Sequence, residues 1–457
     1  MTHEFDLGII GGGPAGYTAA LHARTNGLSV VMFEKDKVGG VCLNRGCIPT
    51  KTILHSAEVY EDLKCAQNLG ITAENVSVDY EKVVERKDKI VEKLRKSLEL
   101  TLKNSGVVTV NAEAELVDKN HIKACEETYV CKKIIYAAGS SPRALRGIDF
   151  DHKFILSSDD ILNLRKLPKN ILIIGSGAIG IEWARIFSAF DVEVTIVEAA
   201  AHLLPLADIE VSKRIERIFK MKKIKTYLNN GVQKIEDNKV YLSSGEVLEP
   251  ECVLLAAGRK PNLCEKMGAL APIISNLSLA KVGRDGEKTG ASAPIIKNSS
   301  LTKVGRDGKK TDGVVYLGDA CGEIQLAHYA IKQAVAEIQG IEFDKTLVPS
   351  VVYGNPEIAW VGEREQDLEE GTYKKANILV SALGKSHCDD SSEGFIKILS
   401  RDNEIIGAHI VSKEASSLIQ QILIAMQNKV SVDKLKEVCF AHPTYSEGIF
   451  ECLFRFN

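Results

Sequence analysis

Short apolar runs that end at glycine-rich turns recur along this sequence and predict buried strands. The first run covers residues 5–10, and it is followed by a glycine-rich turn, a helical pattern over 17–26 and a second apolar run over 29–33. The same order returns where the run 170–174 precedes glycines, a helical pattern and the run 192–197. Both places therefore predict a strand–turn–helix–strand unit, which is typical of α/β folds.

The two turns carry glycines in the spacing G-x-G-x-x-G. An acidic residue, Glu34 or Glu198, lies 23 residues after the first glycine of each turn, where it can accept a hydrogen bond from a ribose hydroxyl. Such glycines let the backbone approach a pyrophosphate at a helix N-terminus. Two copies with equal spacing predict two dinucleotide-binding sites, and Glu198 favours NAD over NADP because it would repel a 2′-phosphate. The glycines are Gly11, Gly13 and Gly16 in the first turn and Gly175, Gly177 and Gly180 in the second.

Two cysteines, Cys42 and Cys47, lie in the stretch 39–51 with four residues between them. In an extended strand their Cα atoms would be roughly 16 Å apart, whereas a disulfide needs about 4.4–6.8 Å. They can pair only if the chain bends back, which Gly46 allows. Pro49 suits the first turn of a helix, whose N-terminus would favour a reactive thiolate. From these residues alone, a redox pair and two buried, inert cysteines are both open.

The segment 42–51, Cys-Leu-Asn-Arg-Gly-Cys-Ile-Pro-Thr-Lys, resembles the redox-active segment of the pyridine nucleotide–disulfide oxidoreductases. These flavoenzymes pass electrons between a nicotinamide, FAD and a protein disulfide, and within the family the segment is most similar to the dihydrolipoamide dehydrogenases. The resemblance covers essentially the whole chain. It implies a redox-active Cys42–Cys47 disulfide, FAD in the first nucleotide site and NAD in the second. It also implies an α/β fold of two Rossmann-like domains plus an α+β C-terminal dimerisation domain.

The same resemblance implies roles for several charged residues. Lys51 would lie beside the flavin, paired with Glu182, and its positive charge would favour the electron-rich reduced flavin. His442 would be the catalytic base, oriented by Glu447, and would reach into the active site of the other subunit. The bond from His442 to Pro443 would be cis. The other cofactor-binding residues that the resemblance implies are Pro14, Ala15, Gly139, Gly318, Asp319, Ala327 and Gly258.

Domain boundaries follow from the positions of these motifs. Residues 271–290 and 293–312 are near copies, offset by 22 residues, and we interpret them as a tandem duplication in a surface connection without a catalytic role. Near the C-terminus, Ser446 suits the cap of a final helix over 447–454. The predicted domains are the first part of an FAD-binding domain at 1–145, an NAD-binding domain at 146–262, a return segment to the FAD domain at 263–340 and an interface domain at 341–457.

Composition and charge argue against several classes of partner. The 457 residues are 45% hydrophobic and 26% charged, with a net charge of −3, so nothing indicates binding to nucleic acid or to a membrane surface. The first apolar run begins at residue 5, which leaves no room for a targeting segment. Eleven scattered cysteines do not form the framework of a secreted disulfide-rich protein. They predict a cytoplasmic protein with mostly reduced thiols, and no metal site is predicted.

The resemblance implies a reaction as well. Dihydrolipoamide would lose a thiol proton to His442, its thiolate would attack Cys42 as the more accessible sulfur, and Cys47 would leave as a thiolate beside the flavin. Electrons would then pass to FAD and on to NAD⁺. The implied partners are a second copy of the chain, with the active site shared across the homodimer interface, and a lipoyl-bearing acyltransferase or a glycine-cleavage-type carrier protein.

Two other functions are open at this point. The protein could be another FAD-dependent reductase of the same family, acting on glutathione-like disulfides or on mercuric ion, although Glu198 argues against the members that use NADPH. It could also be a non-catalytic flavoprotein component of a larger assembly, but the combination of two cysteines with His442 and Glu447 argues for catalysis. Phe440 stands where dihydrolipoamide dehydrogenases often carry a histidine, and this departure bears on the choice of substrate.

Overall fold

The apolar runs of the sequence form strands and the amphipathic stretches between them form helices, in a computed structural model that describes residues 2–264 and 314–456. The near copies at 271–290 and 293–312 lie outside the described residues. Short 3₁₀ helices cover Ala66–Leu69, Ile161–Asn163, Gly318–Cys321, Glu365–Asp367 and Val380–Ala382. The α-helices are α1 Pro14–Thr25, α2 Gly40–Arg45, α3 Cys47–Cys65, α4 Tyr80–Asn104, α5 Ala178–Ala189, α6 Ile209–Met221, α7 Ala327–Gln339, α8 Gly384–Cys388, α9 Ala415–Gln427, α10 Val432–Lys436 and α11 Glu447–Phe454.

All four strands predicted around the glycine-rich turns are present, and the first begins earlier than predicted, at Thr2. The described strands are β1 Thr2–Ile10, β2 Val30–Phe33, β3 Val108–Val110, β4 Glu115–Leu116, β5 His121–Ala124, β6 Glu127–Tyr136, β7 Ser140–Pro142, β8 Ile155–Leu156, β9 Asn170–Ile174, β10 Glu193–Val197, β11 Lys225–Tyr227, β12 Val232–Glu236, β13 Lys239–Leu242, β14 Val247–Leu248, β15 Cys252–Leu255, β16 Arg259–Pro261, β17 Val314–Tyr316, β18 Ser350–Val352, β19 Glu357–Gly362, β20 Lys374–Leu379, β21 Phe395–Arg401 and β22 Glu404–Ser412.

The chain forms two units, each with its own internal contacts. The finer division into four domains stays a prediction. Unit 1 consists of Met1–Ile48, Ile90–Ser141 and Arg259–Phe343, and unit 2 of Pro49–Lys89, Pro142–Gly258 and Asp344–Asn457.

Unit 1 is built on a sheet with the strand order β3-β2-β1-β6-β5-β4, in which β17 also pairs with β6. β1 lies between β2 and β6, parallel to both, with Ile10 opposite Phe33 on one side and Tyr136 on the other. β17 is parallel to β6 as well. These four strands therefore end at one edge of the sheet, which is the edge where open α/β sheets bind ligands. The buried side chains of Leu7 and Ile9 belong to the same core as the alanines of α1.

Unit 2 contains a sheet whose strands are all parallel, in the order β11-β10-β9-β15-β8. Within it, β9, α5 and β10 repeat the order of β1, α1 and β2. Helix α5 is buried on almost every side, and Trp183 and Phe187 are central to its core. The same core contains Val352 and Ile358 from an antiparallel sheet, so the two sheets of unit 2 share one hydrophobic interior.

The antiparallel sheet of unit 2 has the order β18-β19-β22-β21-β20. Helix α9 packs on β19 and β22, and α11 packs on β20 and β21, around the buried side chains of Ile419, Tyr445 and Leu453. A small antiparallel sheet of β12, β13 and β14 lies in the same unit. The fold class is confirmed by a mixed Rossmann-like sheet in unit 1, in which β4 and β5 are antiparallel, a parallel Rossmann-like sheet in unit 2 and an α+β C-terminal part.

Lys397 on β21 is fully buried and lies among three carboxylates. Its Nζ is 2.8 Å from Asp208 Oδ1, 2.5 Å from Glu365 Oε2 and 3.3 Å from Glu210 Oε2. Although burial opposes the charge, the hydrogen bonds to Asp208 and Glu365 raise the pKa of Lys397 above its ordinary value. Asp208 is also fully buried and caps α6, where it accepts the Glu210 N–H at 3.0 Å. The lysine thus joins β21 to the start of α6.

Replacing Lys397 with methionine is expected to lower the free energy of unfolding by about 3–5 kcal/mol, because the fully buried Asp208 carboxylate would lose its counter-ion. Urea unfolding followed by circular dichroism measures the loss. Lys385→Met is the control, since Lys385 is part-exposed and its pair with Asp389 is near the surface. Equal losses in the two variants would contradict the assignment of a buried ionic contact.

Candidate active site

The turn after β1 can hold only glycine at two of its positions. Gly11 has φ +106°, and a Cβ built on it would lie 2.2 Å from the carbonyl oxygen of Ala137. A Cβ on Gly16 would lie 1.9 Å from the carbonyl oxygen of Gly11. The first glycine therefore brings the turn against the end of β6, and the last lets α1 pack directly on the turn, as the sequence motif predicts.

The N-terminus of α1 is left open for a ligand. Gly13 is its N-cap residue, so no side chain caps the first N–H groups of the helix. Glu34, directly after β2, accepts the N–H of Gly12 at 2.8 Å and the N–H of Asp36 at 2.9 Å. These hydrogen bonds fix the carboxylate beside the turn, at the position predicted for a ribose contact.

A second group of predicted residues lies at the same edge of the unit 1 sheet. Gly318 has φ +65°, and a Cβ built on it would lie 3.3 Å from the Cβ of Ala15. The next residue, Asp319, accepts the hydroxyl of Ser140 at 2.5 Å, and Ser140 in turn accepts from Nε of Arg259 at 2.8 Å. No sequence motif marks Ser140 or Arg259, although each directly follows a predicted glycine. Those glycines, which both have positive φ, are Gly139 and Gly258.

The turn after β9 repeats the first turn closely. Gly175 has φ +100° and its Cβ would lie 2.7 Å from the carbonyl oxygen of Ala256, and a Cβ on Gly180 would lie 2.1 Å from the carbonyl oxygen of Gly175. Gly177 is the N-cap of α5 and again no side chain caps the helix. The two turns therefore have the same shape, and each pairs a tight glycine bend with an open helix N-terminus.

Glu198 occupies the place that Glu34 has in the first turn. Its Oε2 accepts the N–H of Ser176 at 2.8 Å and the Ser176 hydroxyl at 2.7 Å, and its Oε1 accepts the N–H of Ala200 at 2.8 Å. In both turns a methyl group on either of two glycines would meet a backbone oxygen at 2.7 Å or less. The residues present therefore fit two dinucleotides, each with its pyrophosphate at a helix N-terminus.

The two cysteines lie on either side of a break between helices. Cys42 belongs to α2, Cys47 is the first residue of α3, and Gly46 between them is not helical. A Cβ on Gly46 would lie 3.3 Å from the Cα of Cys42, so the chain bends back here as predicted. Cys42 is half-buried and Cys47 is exposed, which does not agree with the alternative of two buried, inert cysteines. The expectation that Cys42 is the more accessible of the two is wrong for the single chain, in which Cys47 is the more exposed. Their pairing as a disulfide stays a prediction.

Tyr17 lies close to both cysteines within unit 1. It is on the first turns of α1, beyond the glycine bend. Burial raises the pKa of Tyr17, and the nearby thiolate charges of Cys42 and Cys47 raise it further. No sequence motif marks Tyr17, because an aromatic residue in a helix usually belongs to the hydrophobic core. The half-buried phenol of Tyr17 therefore lies within electrostatic range of both cysteines.

The predicted ion pair between Lys51 and Glu182 is present. Lys51 Nζ lies 2.8 Å from Oε1 and 2.7 Å from Oε2 of Glu182, which is 5% exposed on α5. Tyr353, which no sequence motif marks, contacts both partners: its N–H donates to Glu182 Oε1 at 3.1 Å, and Lys51 Nζ is 4.6 Å from the centre of its ring. Lys51 lies one helical turn after Cys47 on α3.

His442 and Glu447 form the second predicted pair. Nδ1 of His442 lies 2.8 Å from Glu447 Oε1, and Glu447 Oε2 accepts the N–H of Thr444 at 2.9 Å. These two hydrogen bonds hold the pKa of Glu447 below its ordinary value. A carboxylate on Nδ1 directs the basic lone pair of the imidazole to Nε2. The His442 side chain is 76% exposed in the single chain, and its bond to Pro443 is cis, as the resemblance implies.

The predicted capping of the last helix by Ser446 is wrong in its chemistry. Helix α11 does run from Glu447 to Phe454, and Ser446 is its N-cap residue. However, Ser446 has helical φ and ψ of −62° and −25°, so its hydroxyl makes no capping hydrogen bond. Instead it accepts from the side-chain amide of Gln421 at 2.9 Å. A cap needs the extended backbone that this residue does not adopt.

The part of the chain that the structure describes contains neither a candidate metal site nor a candidate membrane-spanning helix. Over residues 2–264 and 314–456, no group of three or more histidine, cysteine or acidic side chains is arranged to bind a metal ion. Across the same ranges, no helix combines the length and the apolar character that a membrane crossing requires.

Comparisons with known proteins agree with this geometry. Residues 5–271 match the sequence family described as pyridine nucleotide-disulphide oxidoreductase, and residues 348–452 match the dimerisation domain of that family. A dihydrolipoyl dehydrogenase of Chlamydia pneumoniae is 33% identical over 462 residues, covering 98% of this chain and 96% of the relative. A mitochondrial dihydrolipoyl dehydrogenase of Arabidopsis thaliana is 34% identical, covering 98% and 89%, and a leghemoglobin reductase of Glycine max is 33% identical, covering 98% and 87%.

Solved structures support the fold. LpdA from Mycobacterium tuberculosis superposes with a TM-score of 0.84 at 24% identity, with both chains covered completely. Sequence identity above 30% over nearly the whole length, together with the family match over most of the chain, establishes the family. The chain belongs to the pyridine nucleotide-disulphide oxidoreductases, in which it is most like the dihydrolipoyl dehydrogenases, and it is an FAD- and NAD-dependent oxidoreductase that acts on a sulfur group.

Proposed function

We propose that the protein oxidises protein-bound dihydrolipoamide to lipoamide with the Cys42–Cys47 pair and FAD, and reduces NAD⁺ to NADH. The observation that carries this proposal is the helix break between the two cysteines, which leaves Cys42 half-buried and Cys47 exposed at the N-terminus of α3. A cysteine at a helix N-terminus is favoured as a thiolate and therefore suits the role of leaving group. The names of the relatives from Chlamydia pneumoniae and Arabidopsis thaliana support the choice of substrate.

The chain's own residues account for the exchange of sulfur bonds. Nε2 of His442 takes a proton from one thiol of the substrate, and the thiolate attacks Sγ of Cys42. The Cys42–Cys47 bond breaks, a mixed disulfide forms on Cys42, and Cys47 leaves as a thiolate. The second substrate thiol then attacks the substrate sulfur that is bonded to Cys42, which closes lipoamide, and Cys42 leaves with the proton of that thiol as a free thiol. Two electrons have moved from the substrate to the cysteine pair.

The cofactors would be held by the two glycine turns. In unit 1, the turn with Gly11, Glu34 and the edge residue Asp319 would hold FAD, and in unit 2 the turn with Gly175 and Glu198 would hold NAD⁺. Bound FAD and NAD⁺ supply the two-electron oxidation that restores the disulfide. The chain would bind and orient these groups, and the positive charge of Lys51 would shift the redox equilibrium of the flavin toward its reduced form.

A homodimer is supported by the match of residues 348–452 to the dimerisation domain of the family. We propose further that the active site is shared across its interface, because His442 is 76% exposed in the single chain although Glu447 already orients its ring. The second partner would be a lipoyl-bearing acyltransferase or a glycine-cleavage-type carrier protein. A cytoplasmic location stays a prediction from the sequence.

A paired assay tests the function and the nucleotide preference together. With dihydrolipoamide the protein is expected to reduce NAD⁺ at least about 100-fold faster than NADP⁺, because two like charges about 4 Å apart repel by about 4 kcal/mol at an effective dielectric constant of 20. Glutathione disulfide with NADPH serves as the control reaction. A faster control reaction, or equal rates with NAD⁺ and NADP⁺, would favour another reductase of the family. Flavin binding without turnover of either substrate would favour a non-catalytic role.

A further inference from the structure

A buried arginine lies one turn along α5 from the Lys51–Glu182 pair. Arg185 is 5% exposed, and its Nη1 donates to the carbonyl oxygens of Pro356 at 2.6 Å and Tyr353 at 3.3 Å. Its Nε and Nη2 are also buried, and within the described residues neither has a hydrogen-bond partner. Burying charged donors without partners costs free energy, so stability alone does not account for this residue.

Arg185 holds the turn that contacts the ion pair. It packs directly on Gly354, where φ is +137° and where a Cβ would lie 2.5 Å from Cδ of Arg185. The turn residue before Gly354 is Tyr353, whose N–H binds Glu182 and whose ring faces Nζ of Lys51. The turn is therefore fixed on one side by the guanidinium and on the other by the Lys51–Glu182 pair.

The guanidinium also contributes a charge to this part of unit 2. Burial lowers the pKa of Arg185 to about 10, against the attraction of Glu182, Glu58 and Glu357, so it stays cationic at neutral pH. Burial, followed by the nearby Glu357 carboxylate, raises the pKa of Glu58 to about 7. Glu182 therefore interacts with two cations, Lys51 by direct contact and Arg185 through space. The second cation offsets part of the Glu182 charge that would otherwise cancel that of Lys51.

We propose that Arg185 is a positioning residue for the Lys51–Glu182 pair, and that it raises the reduction potential of the flavin beside Lys51. The proposal rests on the proposed function, in which Lys51 adjoins the flavin. The guanidinium acts twice: it fixes the turn that orients both partners, and its charge leaves the positive charge of Lys51 less compensated. A more positive field stabilises the electron-rich reduced flavin.

Removing the guanidinium tests both parts. The flavin-loaded Arg185→Met variant is titrated anaerobically against a two-electron reference dye, and its midpoint potential is expected to fall. A tenfold change in the equilibrium constant with the dye, which is about 30 mV, is the expected size. Arg165→Met is the matched control, because Arg165 is an exposed arginine of the same unit with a surface pair to Asp88. Its potential is expected to equal that of the wild type.

The conservative variant Arg185→Lys keeps the charge but loses the fork of donors, and its potential is expected to lie between those of wild type and Arg185→Met. It also replaces the methionine variant should that one fail to fold. Potentials of the Arg185 variants that match the Arg165→Met control would overturn the inference and leave the proposed function standing. A purified wild-type protein that binds no flavin would instead overturn the proposed function.

Discussion

Serine at position 42 or 47 is expected to reduce the rate of dihydrolipoamide oxidation by at least about 10³-fold, because a hydroxyl forms neither the disulfide nor the mixed disulfide on which the reaction depends. The two variants should fail differently. Cys47→Ser retains the attacked sulfur but has no disulfide to open, whereas Cys42→Ser retains the leaving thiolate but has nothing for the substrate to attack. Steady-state kinetics with dihydrolipoamide and NAD⁺ measures both losses.

Cys65 provides the control for these substitutions. It is an exposed cysteine at the far end of α3, the helix that Cys47 begins, so Cys65→Ser changes the same chemistry in the same helix away from the site. Its rate should equal that of the wild type. The absorption spectrum of each purified variant shows whether flavin is retained. A serine variant that holds flavin and turns over at the wild-type rate would exclude the dithiol mechanism.

Glutamine at position 442 is expected to lower kcat/KM for dihydrolipoamide by about 10²–10⁴-fold at pH 7, which is the usual contribution of a general base. The loss should shrink as the pH rises, since free thiols ionise near pH 8.5 without help. The pKa of Glu447 is below its ordinary value, so this carboxylate remains charged across the whole range and does not produce the trend itself. A pH profile from 6.5 to 9 for both proteins measures the ratio.

His152 offers a closely matched control. Like His442, it is an exposed histidine whose Nδ1 contacts a carboxylate, in this case Asp160 at 2.9 Å. Replacing His152 with glutamine should therefore leave kcat/KM unchanged at every pH. If both histidine variants lose the same rate, or if the loss at position 442 does not depend on pH, His442 is not the base.

The glycine turns were predictable because their geometry is local. Positive φ at Gly11 and the contact of Gly16 with the carbonyl oxygen of Gly11 arise within six residues, and spacing in the sequence records them. The acid at the end of the next strand follows for the same reason, since one parallel strand pair places Glu34 beside the turn. The repeat at Gly175 needed no further information.

Contacts between distant parts of the chain were predictable only through the family resemblance, or not at all. Lys51 and Glu182 are 131 positions apart, and no periodicity links them. Arg185 was missed because a charged residue on an apolar helix has no motif of its own, and its partners are backbone carbonyls of a remote turn. For Ser446 the position as N-cap was predicted correctly, but its helical φ and ψ prevent the capping hydrogen bond, and its hydroxyl accepts from Gln421 instead.

Helix α1 takes part in two features of unit 1, the nucleotide-binding turn and the surroundings of the two cysteines. Its first turn follows the bend around Gly11, and Tyr17 on the same turn lies within electrostatic range of both cysteines. A change that weakens nucleotide binding at this turn is therefore expected to alter the surroundings of the two thiols as well, although no atom of the turn has to contact them. Loss of flavin and loss of order at the cysteine pair are then expected to occur together in damaged protein, because both follow from displacement of helix α1.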